Sequence, residues 1–249
     1  VLPKRGADLL ALLAYLSSEE YRTEVRRVNP KVIVSSGYLL RVPFDVKRWR
    51  AVAEERFPGG LPEPWSDDPT QWLFEGRPEV ASEPLQVAVG RLVGFRWPEQ
   101  AESDDLDGLV DGDGIVCLPA VGGEQPAADR VMGMLAAAFG ERFSPSLVRE
   151  LLEGAGSKKT SLGEWLRDEF FKHHCRVFEQ RPFVWHVWDG RKDGFAALVN
   201  YHRLDRGGLE KLTYTYLGDW IERQRADVEA GVGGADVRLG AALELKEKL

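Results

Sequence analysis

Four histidines, two cysteines and a run of aspartates have the widest chemical range of any side chains in this chain. His173, His174 and Cys175 are consecutive, with His186 and His202 further on, and together they supply the residue types of a zinc site. Neighbours on one helix point in three directions, however, and no CxxC or HxxxH spacing exists to close a coordination shell. Core packing and ordinary hydrogen bonding explain His186 and His202 more simply. The run DLDGLVDGDG begins as a calcium loop does, with alternate aspartates before a glycine. Counted from Asp107, its third position is Leu109 and its twelfth is Leu118, where carboxylates belong. Glu244 and Lys246 have the spacing of a nuclease carboxylate-lysine pair but sit in a helical charge pattern that reads as a solvated face. No nucleophile elbow, phosphate-binding P-loop or G-x-G-x-x-G loop occurs at a strand-helix junction. The residues offer no catalytic constellation.

The stretch RPFVWHVWDGRKDGFAALVNYHRL, Arg181 to Leu204, is where aromatic and basic chemistry meet. It predicts a β-hairpin with strands 183–188 and 195–202, joined through two Asp-Gly pairs that tolerate positive φ. Aromatics on a strand can stack on splayed bases, and a protruding Arg191-Lys192 tip can reach a phosphate. Alternating Phe, Trp and Val with few charges is mostly what a buried strand looks like. The expectation is therefore that Trp185 and Trp188 are mostly buried, with cover on both faces, and that only the tip projects.

The elements that would hold this hairpin are mainly helical. Leu9, Leu10, Leu13 and Leu16 stripe a first helix after Asp8, and Ser17 with Glu20 suggests a capping box for a second. A small β element near 31–42 follows, and Asp45 caps a helix carrying Val46, Trp49, Ala53 and Phe57. Residues 59–84 are rich in proline and turns, and Trp65, Trp72 and Phe74 would pin them to the surface. Leu85 to Trp97 reads as a helix with one apolar face, and 99–114 as an acidic linker. Beyond the short strand Ile115 to Leu118, three helices are marked by Val131, Met134, Leu135 and Ala138, by Ser144-Pro145, and by Ser161 with Glu164, the last running on to Phe170. Asp205 starts a helix striped by Leu209, Leu212, Tyr216 and Trp220, and a final helix closes the chain. The fold class is α+β, predominantly helical, in two regions: 1–98, and a C-terminal module 115–249 around the hairpin.

At 249 residues, 43% hydrophobic and with eight Trp, the chain has the composition of a globular protein with a sizeable core. No apolar run approaches the ~20 residues that a membrane span needs. Two cysteines are too few for a disulfide framework, and with no secretory leader they point to the cytoplasm. A net charge of −7 argues against a free-standing nucleic-acid binder, though the charge is segregated: acidic residues crowd 99–113, while basic ones gather at 22–31 and 47–50. The opening on Val1 and the uncapped helical ending suggest a piece of something longer.

Several stretches together resemble the C-terminal part of large adenine-specific DNA methyltransferases of the type IIG restriction-modification kind and their phage-defence relatives of BREX and DISARM type. They are ADLLALLAYLSSEEYRTEVRRVN with LLRVPFD, GLPEPWSDDPTQWLF with PLQVAVGRLVGFRWP, DGIVCLP, and above all SLGEWLRDEFFKHHCRVFEQRPFVWHVWDGRKDGFAALVNYHRLD with LEKLTYTYLGDWI. Such enzymes hold S-adenosylmethionine in a separate catalytic domain with an Asn-Pro-Pro-Tyr type motif. This sequence has no Pro-Pro pair and no glycine-rich cofactor loop, so neither element carries over, and the cofactor is expected in an N-terminal catalytic domain. The resemblance implies a non-catalytic portion that contributes to recognition and positioning of double-stranded DNA, with other defence-system proteins as further partners. Its phosphate-contact candidates are Arg26, Arg27, Lys31, Arg41, Lys47 and Arg48, in the segment similar to the end of a target-recognition domain, with Arg191 and Lys192 as a second group. Two other readings stay open: a module that docks a protein partner through 59–84, and a small enzyme whose site leaves no motif.

Overall fold

A computed structural model describes residues 8–29, 41–58, 66, 68–100 and 104–249. The expected β element near 31–42 lies almost entirely outside them. The chain divides into two compact units, Val1–Pro64 and Trp65–Leu249.

In the first unit, α1 (Leu9–Leu16), α2 (Glu19–Val28) and α3 (Val46–Arg56) surround Tyr15. Its ring lies 4.9 Å from Trp49, 5.1 Å from Tyr21 and 5.2 Å from Phe44, and its hydroxyl donates to the Pro43 carbonyl at 2.7 Å. The face of α1 that is buried is Ala11, Leu12, Ala14 and Tyr15 rather than the leucine stripe, because small alanines let α3 approach closely. Ser18, not Ser17, caps α2 by accepting from the Tyr21 N–H, while Ser17 closes α1. Asp45 caps α3 as expected, accepting from the Lys47 and Arg48 N–H groups.

The second unit is built on a three-stranded antiparallel sheet in the order β1-β3-β2, from β1 (Ile115–Cys117), β2 (Val184–Trp188) and β3 (Ala196–Asn200). The expected hairpin is β2 and β3, with Trp185 opposite Val199 and Trp188 opposite Ala196. β1 joins the far side of β3, with Ile115 opposite Val199. Side chains alternate across the strands, so Val116, Leu198 and Val184 face one core while Ile115, Cys117, Val199, Ala197 and Val187 face another. The first core is made with α4 (Pro84–Leu92), α5 (Ala127–Phe139), α6 (Pro145–Gly154), α7 (Leu162–Asp168) and α8 (Phe170–Val177). The second is made with a π-helical turn at Lys211–Tyr216, which follows the short, mostly exposed α9 (Arg206–Glu210), and with α10 (Leu217–Glu229) and α11 (Ala235–Lys248). Helices thus cover both faces of the sheet.

Two helices stop earlier than their apolar pattern. α4 ends at Leu92, because Gly94 takes φ +74° and the Phe95 N–H turns back to the Gly90 carbonyl at 2.9 Å. Every residue of α4 from Leu85 to Leu92 is buried, so it runs through the core rather than along it with one apolar face. α7 breaks at Glu169, whose φ of −129° leaves the helical region, and Phe170 opens α8 instead of continuing α7.

Trp185 and Trp188 are 46% and 45% exposed, which corrects the expectation that both are buried. With β1 paired to β3, the fully buried strand is β3 and β2 becomes an edge. The α10–α11 layer reaches Val187 but not Trp185.

Glycine packing gives a direct check of the first core. A Cβ on Gly90 would stand 2.6 Å from Trp97 Cη2 and 3.4 Å from Phe183, whereas one on Gly133 of α5 meets nothing within 4 Å. Gly90→Ala is expected to destabilise by about 1–3 kcal/mol through overpacking. Gly133→Ala should stabilise by about 0.5–1 kcal/mol through helix propensity. Urea denaturation of the two variants measures both, and a stabilised Gly90→Ala would contradict the packing.

Candidate nucleic-acid interface

Of the basic residues singled out from sequence, Arg27, Arg48 and Arg191 are held by carboxylates. Arg48 of α3 forks onto Glu20 of α2 at 2.9 and 2.6 Å, with its guanidinium 5.3 Å above the Trp49 ring. Arg27 pairs with Glu24 one turn back on α2. Arg26, Arg41 and Lys47 are exposed, and Lys47 has no ion-pair partner among the described residues; Lys31 lies outside them. Beside α2 opens a concavity of about 750 Å³, lined in part by Leu16, Tyr21, Val25, Arg22, Arg26 and Arg27.

The second group sits on the hairpin turn. Asp189 organises that turn, accepting from the Arg191 N–H at 3.0 Å and the Phe195 N–H at 2.7 Å, and partial burial raises its pKa. Of the two Asp-Gly pairs only Gly190 needs positive φ, at +87°. Gly194 is required for space, since a Cβ there would strike the Asp189 carboxylate. Arg191 is drawn back onto Asp193 at 2.9 Å and is half-buried, leaving Lys192 as the exposed cation of the tip.

The histidines do not converge. His174 is wholly buried, with Nδ1 2.8 Å from Gln86 Oε1, and Nε2 accepts from the Phe183 and Val184 N–H groups at 3.3 and 3.1 Å. Two donors on Nε2 place the proton on Nδ1, which donates to Gln86. Burial, with a smaller contribution from neighbouring His173, lowers its pKa to about 3. His173 lies 3.2 Å from Glu83, His186 stacks on Trp188, and His202 bonds Gln71 at 2.8 Å. Gln71 also donates to the Arg181 carbonyl at 2.9 Å, and Phe74 packs edge-on to Trp97 and Phe178. These contacts tie the proline-rich segment to the base of the hairpin, while Trp72 is exposed. No group of three metal-ligating side chains forms among the described residues.

The aspartate run is structural over its described part. Asp104 and Asp107 grip Arg91, a guanidinium 1% exposed inside α4, at 2.5–2.9 Å. Asp111 accepts from the Asp113, Gly114 and Ile115 N–H groups and from Arg130, and burial raises its pKa. Asp113 accepts from Lys211 and, at 2.9 Å, from the hydroxyl of Tyr216 in the π-helical turn. Residues 104–114 are thereby anchored to α4, α5 and the second core. Sequence reasoning passed over Gln86, Arg91 and Gln71. For the first two the signal was present: a Gln and an Arg in an otherwise apolar helix must be either exposed or paired.

No family model matches this chain. It is 30% identical over 119 residues to the adenine-specific methyltransferase PglX of Lacticaseibacillus casei (strain Zhang), a match covering 46% of the chain and 9% of that protein. It is 25% identical over 69 residues to the adenine-specific methyltransferase BrxX of Escherichia coli O9:H4 (strain HS), covering 28% of the chain and 6% of that protein. The matched stretches span less than a tenth of either relative. No described helix is long and apolar enough to cross a membrane.

Proposed function

We propose that this chain is a non-catalytic portion of an adenine-specific DNA methyltransferase of a defence system and contributes to recognition and positioning of double-stranded DNA. The observation that carries this reading is the likeness to PglX over nearly half of the chain. That likeness accompanies a sequence without the cofactor loop or the Pro-Pro pair of such enzymes. S-adenosylmethionine then belongs to a catalytic domain elsewhere in the parent protein, and the chain by itself transfers no methyl group to DNA.

The test is duplex affinity against salt concentration, measured on the parent protein. Lys47→Gln, which removes an exposed cation with no ion-pair partner among the described residues, is expected to shrink the salt slope by about one unit if it touches a phosphate. Arg48→Gln should change it less, because that guanidinium is already forked onto Glu20. An unchanged slope in Lys47→Gln, Arg41→Gln and Lys192→Gln alike would remove DNA contact from these positions. Methyl transfer by the isolated chain would overturn the division of labour.

A second reading, docking of a protein partner of the defence complex, draws support from the exposed Trp72, Leu73 and Val80 between residues 66 and 84. Trp72→Glu would then weaken assembly and leave the salt slope for DNA intact.

A further inference from the structure

Along the exposed edge strand of the hairpin, three rings form a row. Trp185 of β2 has Phe171 of α8 on one side, ring centres 5.9 Å apart, and Tyr201 just beyond β3 on the other, at 6.3 Å. Trp185 is 46% and Tyr201 59% exposed, so each keeps a large part of its ring surface open to solvent. The row exists because β2 is an edge strand beyond the helical layer that covers β1 and β3.

Exposed cations share the helix that carries Phe171. α8 turns Phe170, His173 and His174 into the core, which leaves Phe171, Lys172, Cys175 and Arg176 on its outer arc. Lys172 and Arg176 are exposed and have no ion-pair partner among the described residues. Residues 170–206 hold seven basic side chains against four acidic ones, in a chain whose net charge is −7. Arg181, Arg191 and Arg206 are engaged by Asp68, Asp193 and Glu210, and Arg203 donates to the Asp111 and Gly112 carbonyls, so Lys172, Arg176 and, at the hairpin tip, Lys192 remain for an external anion.

Exposed aromatic rings and exposed cations without an ion-pair partner among the described residues fit a partner that carries flat apolar faces and regularly repeated negative charge. A duplex buries its base faces and presents mainly phosphates to such a surface, and an acidic peptide presents charge without the faces. An unpaired nucleic-acid strand presents both. We propose that the Phe171–Trp185–Tyr201 row, with Lys172 and Arg176, binds a single-stranded segment of DNA, its bases stacking on Trp185 and Tyr201 and its phosphates meeting the two cations. This rests on the reading that the chain faces DNA, and it assigns to the hairpin a task separate from duplex contact.

The experiment is fluorescence anisotropy of a labelled oligo-thymidylate with the full chain, with unlabelled polyglutamate as competitor. Trp185→Ala is expected to weaken binding about tenfold or more, and Tyr201→Ala by a similar factor. Lys172→Glu with Arg176→Glu, which leaves the rings in place, should weaken it further and flatten the salt dependence. Both ring positions are substantially exposed, so an unchanged circular dichroism spectrum and melting temperature would exclude misfolding as the cause. Parental affinity in both ring variants overturns the proposal, as does failure of the unaltered chain to bind the oligonucleotide. Polyglutamate that competes fully and binds Trp185→Ala as well as the parent would mark an acidic-protein site instead. A duplex salt slope unchanged in Lys47→Gln, Arg41→Gln and Lys192→Gln alike, with oligo-thymidylate binding intact, would count against the preceding reading alone.

Discussion

Changing Asp104 and Asp107 together to Asn is expected to destabilise the chain by about 3–5 kcal/mol, more than removing their shared partner by Arg91→Met. The two carboxylates are 26% and 34% exposed at the side chain, whereas Arg91 is 1% exposed. Deleting the cation leaves carboxylates that water already reaches, together with a Gly76 carbonyl that loses its 2.9 Å bond. Deleting the acids strands a guanidinium that keeps its charge inside the core. Breaking a buried pair is most destabilising when the member left behind cannot be solvated. Urea denaturation of the double variant, of Arg91→Met and of the triple variant measures the asymmetry. The triple should recover much of the double variant's loss, since no charge then remains buried. A double variant more stable than Arg91→Met would show that Arg91 reaches solvent once released.

The second large effect belongs to His174. His174→Leu should lower stability at neutral pH by about 3 kcal/mol, because the Phe183 and Val184 N–H groups and the Gln86 side chain all lose their partner in a dry site. The pH dependence gives an independent signature. Unfolded, the ring titrates near 6.5, while burial lowers it to about 3 in the fold. Above pH 6.5 it is neutral in both states and contributes no slope. Below that value the unfolded chain takes up a proton that the folded chain refuses, so stability falls by about 1.4 kcal/mol per pH unit until about pH 3. The leucine variant lacks this term, so the gap between variant and parent should narrow by roughly that amount per unit below pH 6.5. A gap that stays constant from pH 7 to pH 5 would mean that His174 is protonated in the folded chain.

Much of the architecture was legible because its signals are local. Ser144, Ser161, Asp45 and Asp205 each cap the helix that the sequence assigned to them. The hairpin strands pair as their alternation and Asp-Gly turn indicate. Caps, turns and apolar periods operate over a few residues, so the types and order of most elements follow from short windows. The site was less legible: a basic residue in a sequence window does not reveal whether a carboxylate will claim it, as Glu20 claims Arg48 from 28 residues away.

The sequence by itself therefore determined a mostly helical α+β chain around an antiparallel hairpin, without a recognisable catalytic constellation. Only the tertiary structure decided which hairpin strand would be the edge. Ile115–Cys117 pairs with Ala197–Val199 across some eighty residues, and that one pairing buries β3 on both sides and leaves Trp185 and Trp188 exposed. It also made the aspartate run structural rather than a linker over residues 104–114, by bringing it against Arg91, Arg130 and Tyr216. Strand alternation states that a side chain has two faces to choose between. Whether either face is covered depends on contacts between distant segments, for which no short window carries a signature.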